Sequence, residues 1–112
     1  METFTRGDIV LYAFPHTNLK ERKLRPCLVL SNEMKNDILL CQITSQKSQK
    51  DKFSIELLTT DTKEGSLLIN SFIRANMLFT AEKFDIRKKV CIIKPDKYKL
   101  TTKVIKSIID LN

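Results

Sequence analysis

The apolar residues of this chain fall in short runs separated by polar turns, and their spacing becomes helical only near the end of the chain. The runs that resemble strands cover residues 8–14, 27–30, 38–44, 53–58, 67–69, 71–73 and 89–93. Short runs at this spacing are typical of small β-barrels and sandwiches rather than of parallel sheets. The sequence therefore predicts a compact, mainly β domain.

The last part of the chain is predicted to form one amphipathic helix. Its apolar residues recur at three- and four-residue spacing, as Leu100, Val104, Ile105, Ile108, Ile109 and Leu111. We expect this apolar stripe to pack on the domain, and Thr101 or Thr102 to cap the first turn. The prediction is one domain over residues 1–112, in the α+β class: a barrel of about six or seven short antiparallel strands, with a C-terminal helix over one end.

The charge balance restricts the partners of the chain. Its 112 residues include 20 Lys and Arg against 13 Asp and Glu, which gives a formal net charge of +7. An excess of this size attracts polyanions, so nucleic acid, an anionic membrane face or an acidic protein all fit, and so does a role in solubility alone. No apolar run has membrane-spanning length and no export signal is visible, so we expect a cytoplasmic protein without a membrane partner.

The three cysteines, Cys27, Cys41 and Cys91, lie far apart and beside Leu, Ile or Val. An odd number at such spacing indicates neither a disulfide framework nor a zinc site. We expect small core residues in a reducing compartment, and neither a metal nor a cofactor.

Two polar loops concentrate positive charge. Residues 15–25 are expected to form an exposed connection between the first two strands, and residues 47–52 form a second basic loop. Their cations are Lys20, Arg22, Lys23, Arg25, Lys47, Lys50 and Lys52. If a barrel places both loops on one rim, they form a cationic groove.

Arg25 and Thr44 are the residues in this region best suited to chemistry on RNA. Cleavage of a ribose phosphodiester without metal needs a base for the 2'-hydroxyl, donors for the charge on the phosphorane oxygens and an acid for the leaving oxygen. The arginine fork donates two hydrogen bonds to a phosphate and stays protonated, and Thr44 or Ser45 could add neutral donors. The alternatives are a solvated arginine and hydroxyl residues that end a strand.

His16 and Arg74 are weaker candidates. His16 is the only histidine, and thus the only side chain with an unperturbed pKa near neutrality, but a single loop histidine is a weak signal and more often an ordinary exposed ring, here beside Pro15. Arg74 is either a residue on the solvated face of a strand or a second phosphate clamp.

Several segments of the chain resemble the PemK/MazF-like toxins of bacterial toxin–antitoxin systems. The segments that carry the resemblance are Arg6-Gly7-Asp8-Ile9-Val10, Phe14-Pro15-His16-Thr17-Asn18, Lys23-Leu24-Arg25-Pro26-Cys27-Leu28-Val29-Leu30-Ser31, Ile43-Thr44-Ser45 and Ser71-Phe72-Ile73-Arg74. They occur in the order expected for the family and span about residues 6–82.

The resemblance implies an SH3-like barrel that forms a homodimer and cleaves single-stranded RNA, such as mRNA, at a short sequence without metal, leaving a cyclic phosphate. It also implies an acidic, partly disordered antitoxin as partner. On this mapping Arg25 and Thr44 are catalytic, with Arg25 stabilising the phosphorane. The residues expected to contact RNA are His16, Asn18, Lys23, Ser45, Gln46 and Arg74.

A second branch of the family uses an arginine at the position of Arg74, an aspartate two residues later and a histidine in the first loop. Asn76 occupies the aspartate position here, and a carboxamide cannot accept the proton, so we expect Arg74 to be an auxiliary clamp. The alternative function is a non-catalytic module of the same fold that binds RNA or DNA, or inhibits gyrase. Such a module needs the basic surface but not Thr44.

Overall fold

The computed structural model describes residues 2–15 and 22–111. In this part of the chain, seven strands pair antiparallel into one sheet and a helix follows the last strand. The elements are β1 (Asp8–Pro15), β2 (Arg22–Val29), β3 (Asp37–Thr44), β4 (Ser54–Leu57), β5 (Thr62–Lys63), β6 (Ser71–Glu82), β7 (Ile86–Ile93) and α1 (Pro95–Ile109). The order across the sheet is β4-β6-β3-β2-β1-β7-β5. The predicted class, mainly β with a C-terminal helix, is confirmed.

The central part of the sheet is buried on both faces. Side chains alternate across a strand, and neighbouring residues accordingly enter different apolar clusters: Ile9 and Leu28 belong to one, Val10 and Val29 to the other. A slip of one residue would exchange the two sets, so the two cores together fix the register of the central strands. Helix α1 packs on the first cluster through Tyr98, Val104 and Ile105.

The helix begins earlier than its apolar spacing indicates. Pro95 occupies the first turn, where its fixed φ suits a helix and its missing N–H leaves no hydrogen bond unmade. The predicted cap is therefore wrong: Thr101 lies inside the helix, buried, and its hydroxyl donates to the Lys97 carbonyl at 2.8 Å. The predicted stripe packs only in part, because Ile108 and Ile109 are exposed. No helix among the described residues is long and apolar enough to cross a bilayer.

Strand β2 also begins earlier than predicted, so Lys23 and Arg25 lie on a strand rather than in a loop. The pairing with β1 continues outward as far as Pro15 opposite Arg22. Residues 22–25 are exposed there, and for this reason they show no apolar alternation. Pro26 is tolerated because β2 pairs with β3 only from Cys27 onward, which leaves that side of the strand open at the proline.

Strand β6 is much longer than the predicted segment 71–73, and it contains a large bulge. Cys41 of β3 pairs with Leu78, whereas Ile43 pairs with Ile73, so one residue of β3 faces four residues of β6. The bulge frees the Arg74 carbonyl from the ladder, and the Cys41 thiol donates to it at 2.9 Å. The sequence does carry a signal for a longer strand, because Ile73, Ala75, Met77, Phe79 and Ala81 alternate with mostly polar residues. The predicted segment ended too early.

The strand predicted over residues 67–69 is wrong. These residues belong to the connection between β5 and β6, in which Leu67 is buried and Leu68 and Ile69 are exposed. In the sequence, three consecutive apolar residues indicate a strand, but only Leu67 is buried in the core.

The cysteines lie in the core as predicted. Cys27, Cys41 and Cys91 are free and buried. Burial raises the pKa of all three thiols, that of Cys41 to about 12. Buried thiols with raised pKa values are poor nucleophiles, so the three cysteines are core residues rather than candidates for catalysis.

Glu33 joins the N-terminal segment to the turn between β6 and β7. Its carboxylate accepts hydrogen bonds from the Phe4 backbone N–H, at 2.8 Å, and from the Lys83 ammonium. The hydrogen bond from Lys83 and then that from Phe4 hold the pKa of Glu33 below its usual range. Phe4 is buried in the second cluster, so Glu33 helps to hold this edge of the core in place.

A Glu33→Gln variant is expected to be less stable than wild type at pH 7. Because folding lowers the pKa of Glu33, its contribution is complete above the unfolded pKa of about 4.3 and is lost as the pH falls through the folded value. Thermal unfolding measured from pH 7 to pH 3 should therefore show the difference in melting temperature shrinking on acidification. Glu56→Gln, at an exposed position of β4, is the control. A difference that does not change with pH would contradict the assignment.

Candidate nucleic-acid site

A cavity of about 640 Å³ lies between β1, β2, the end of β3, β7 and the connection between β5 and β6. Part of its lining is apolar, from Leu11, Leu24, Pro26, Ile43, Leu67, Leu68, Ile69 and Val90. The polar part consists of Lys23, Arg25, Thr44, Ser45, Gln46, Ser66, Ser71 and Lys88. An apolar concave surface with a few polar groups at its edge is the usual form of a ligand site.

The sheet brings the two sides of the cavity together through β1. Leu11 pairs with Pro26 of β2 on one side and with Lys88 of β7 on the other. These three residues form a row across adjacent strands, and paired residues project their side chains from the same face. Residues far apart in the sequence therefore meet in this cavity because of strand register.

Positive charge in the cavity is not balanced by acidic residues. Lys23, Arg25 and Lys88 are exposed and line it, and no carboxylate is among the described residues of its lining. Arg22, by contrast, forms an ion pair with Asp85 at 3.4 Å and donates to the Ala13 carbonyl at 2.8 Å. The arrangement favours an anionic ligand beside Arg25.

Thr44 ends β3 and is part of the cavity lining. It is 7% exposed, and its Oγ1 accepts a hydrogen bond from the Gln46 N–H at 3.1 Å. This local bond shapes the turn that leaves Ser45 and Gln46 exposed. Because a threonine hydroxyl has one proton in addition to its lone pairs, Thr44 can still donate to a ligand.

One wall of the cavity depends on Gly65. Its φ is +114°, and a Cβ at this position would lie 2.3 Å from the Val90 carbonyl oxygen. The close approach lets the connection between β5 and β6 pack directly on β7. Leu67 then enters the core, while Leu68 and Ile69 stay 97% and 58% exposed beside the cavity.

The cavity brings together five of the predicted site residues: Lys23, Arg25, Thr44, Ser45 and Gln46. Arg74 is not in its lining. It lies at the bulge of β6, opposite Ser54, and its Nε is buried without a hydrogen-bond partner in the described part of the chain. His16 and Asn18 lie outside the described residues, so their roles stay predictions.

The second basic loop does not line the cavity. The Lys50 ammonium lies 5.3 Å from the centre of the Phe72 ring, and that of Lys52 lies 5.2 Å from the centre of the Phe53 ring. The third cation of the cavity is Lys88, which no motif or spacing in the sequence indicates. Lys88 lies in the run Arg87-Lys88-Lys89, where only the register of β7 distinguishes one residue from the next.

The family model described as PemK-like, MazF-like toxin of type II toxin-antitoxin system matches residues 5–109. Among solved structures, a MazE–MazF complex from Deinococcus radiodurans is similar, with a TM-score of 0.77 at 18% identity, covering 96% of this chain and 97% of that chain. An endoribonuclease from a mycobacterial species in complex with its cognate antitoxin gives 0.76 at 12% identity, with 97% of each chain covered.

A third similar structure is the Mycobacterium tuberculosis toxin MazF-mt6, with a TM-score of 0.72 at 15% identity, covering 94% of this chain and 98% of that chain. Comparison with curated protein sequences gives no match. At these identities the structural similarity establishes a shared fold.

Gly65→Ala should destabilise the protein by about 1–3 kcal/mol, because the added Cβ meets the Val90 carbonyl in a backbone conformation that alanine disfavours. Gly7→Ala is a matched control: its φ is +94°, but its Cβ would only touch a methyl group of Ile93 at 3.7 Å. Free energies of unfolding from urea titration should show the larger loss at Gly65. Equal losses would mean that the contact with β7 is not tight.

Proposed function

The chain belongs to the PemK-like, MazF-like toxins of type II toxin–antitoxin systems, and on this premise we propose that it is a metal-independent endoribonuclease that cuts single-stranded RNA, mRNA included. One observation carries the proposal. Arg25 and Thr44, from different strands, line a single cavity in which no described residue is acidic. A scissile phosphate bound there would meet the two donor groups that the chemistry requires.

In the proposed reaction, the 2'-hydroxyl of the RNA attacks the adjacent phosphorus. A bond forms between O2' and phosphorus, the bond to O5' breaks, and the products are a 2',3'-cyclic phosphate and a 5'-hydroxyl. Negative charge builds on the phosphorane oxygens, which the Arg25 fork stabilises with two parallel hydrogen bonds. The Thr44 hydroxyl adds a neutral donor.

The described residues of the cavity contribute charge stabilisation and orientation more than proton transfer. Their lining includes no histidine and no carboxylate, the usual groups for acid–base catalysis near neutral pH. His16 is a candidate for proton transfer because an ordinary imidazole titrates near pH 6.5.

The shape of the cavity supports single-stranded RNA as substrate. A sequence-specific protein reads bases that are splayed out of the stack, and the apolar lining beside Leu24 and Leu68 offers a surface for an unstacked base. The exposed side chains of Lys23, Ser45 and Gln46 stand at the edge, where phosphates and base edges would lie. Cleavage without a metal or cofactor is part of the same proposal.

The partners follow from the family and from charge. The neighbours above include a MazE–MazF complex and an endoribonuclease bound to its antitoxin. We extend this to an acidic antitoxin, which the net charge of +7 would attract, and to a homodimer acting in the cytoplasm.

Arg25→Ala should reduce RNA cleavage by about 10²- to 10³-fold, because the charge on the phosphorane loses its main donor. Cleavage is measured on total RNA in EDTA, and the 5' ends of the products are mapped to give the motif. Lys103→Ala, an exposed position of α1 outside the cavity, should cut like wild type. Unchanged cleavage by Arg25→Ala would remove Arg25 from the mechanism. Wild-type protein that shifts RNA or DNA on a gel but leaves it intact would favour the non-catalytic module.

Thr44→Val should lose at least about tenfold in kcat, since valine keeps the shape of threonine without the hydroxyl donor. Thr44→Ser keeps the hydroxyl and should retain most of the activity. Single-turnover cleavage of an oligonucleotide that contains the mapped motif measures both variants. Circular dichroism checks the fold, because valine also removes the acceptor of the Gln46 N–H. If valine and serine behave alike, the hydroxyl has no chemical role.

A further inference from the structure

We propose that Lys88 binds the backbone phosphate next to the scissile one, so that the cavity holds one nucleotide of RNA between Arg25 on β2 and Lys88 on β7. This inference rests on the proposed function and adds a residue to the same site. Neither the composition nor the resemblance of the sequence indicated Lys88.

Lys88 is the member of a basic triplet that has no structural partner among the described residues. On one side, Arg87 donates to the Phe84 carbonyl at 2.9 Å. On the other, the Lys89 ammonium lies 3.5 Å from the buried carboxylate of Asp8. Alternation along β7 directs Lys88 to the opposite face of the strand, and there it lines the cavity.

The position of Lys88 suits a phosphate other than the one at Arg25. Strand β1 lies between β2 and β7, and Leu11 pairs with both Pro26 and Lys88. Two strand spacings separate the backbone of Lys88 by about 9.6 Å from that of Pro26, the residue that follows Arg25 on β2. Leu11 lies between Pro26 and Lys88, and with Val90 it makes the neighbouring lining apolar. A ribose or base can lie on that surface while the phosphates on its two sides meet the two cations.

A lysine without an ion pair is most often only solvated, and three further observations favour a ligand here. Lys88 belongs to the lining of a concave surface rather than an open one, and Lys23 and Arg25 belong to the same lining. No described residue of the lining is acidic. Three like charges around one cavity repel each other until an anion binds, so a phosphate removes an unfavourable interaction as well as forming a new one.

A contact to a phosphate that does not react has a defined kinetic signature. It stabilises the bound RNA and the transition state equally, so its loss raises KM and leaves kcat unchanged. A residue that only supported the fold would change the free energy of unfolding as well.

The test compares Lys88→Gln with Lys103→Gln, which removes the same charge from an exposed position of α1. The probe is a fluorescein-labelled RNA of about ten nucleotides that carries the mapped motif, with 2'-deoxyribose at the cleavage site so that it binds uncut. Fluorescence anisotropy gives its Kd at several salt concentrations. One lost contact to a single strand should reduce the slope of log Kd against log salt by about 0.7, and thus weaken binding about fivefold at 0.1 M salt. Lys88→Arg should restore binding.

Neutral methylphosphonates placed one at a time in the probe identify the phosphate. The effect of Lys88→Gln should disappear when the phosphate next to the scissile one is neutral and persist when any other is neutral, since only a shared contact gives non-additive changes. If Lys88→Gln matches Lys103→Gln in affinity and slope while Arg25→Ala abolishes cleavage, the inference is wrong and the proposed function stands.

If wild type cuts no RNA, the proposed function fails first. The two lysine variants are then compared on a mixed-sequence single-stranded DNA of the same length, which has phosphates but no 2'-hydroxyl. A slope reduced only in Lys88→Gln would keep Lys88 as a phosphate contact of a binding module. Equal salt slopes for Lys88→Gln and Lys103→Gln would show that Lys88 is not a phosphate contact of a binding module either.

Discussion

The pairing of β1 with β2 on one side and with β7 on the other is the contact on which the site depends. Leu11 stands between Pro26 and Lys88 in this row, so the register of β1 determines which side chains of its neighbours reach the cavity. That register is fixed by the core, because Ile9 and Val10 enter apolar clusters on opposite faces and a slip of one residue would place each in the wrong cluster. The hydrophobic effect, acting away from the site, therefore places the charges that would meet RNA.

The same scaffold explains why the cations are available. The outer part of β2 extends past the core, so Lys23 and Arg25 are exposed while the backbone remains paired with β1. A rigid strand holds these side chains at lower conformational cost on binding than a loop would, which favours electrostatic stabilisation of a transition state. The cavity combines these charges with the hydroxyl of Thr44 and with the apolar surface of the connection that Gly65 brings against β7.

Much of the fold could be predicted because most strands show regular alternation or a continuous apolar run. Strand β6 was predicted too short, although Ile73, Ala75, Met77, Phe79 and Ala81 alternate with mostly polar residues along it, and what the sequence does not show is the bulge at residues 74–77. Residues 67–69 were predicted to form a strand and do not, because a sequence does not distinguish an apolar residue at the edge of a cavity from one in the core. Of the candidate site, Arg25 and Thr44 could be selected by their chemistry and by the resemblance. Lys88 could not, because its neighbours have the same charge and differ only in the face of β7 they occupy.

The most direct test of the central claim is a crystal structure of the protein bound to RNA that carries 2'-deoxyribose at the cleavage site. The account predicts that the scissile phosphate lies in this cavity, with its oxygens within hydrogen-bond distance of the Arg25 guanidinium and the Thr44 hydroxyl. RNA bound on another face of the molecule, with these two side chains free of contact, would contradict it.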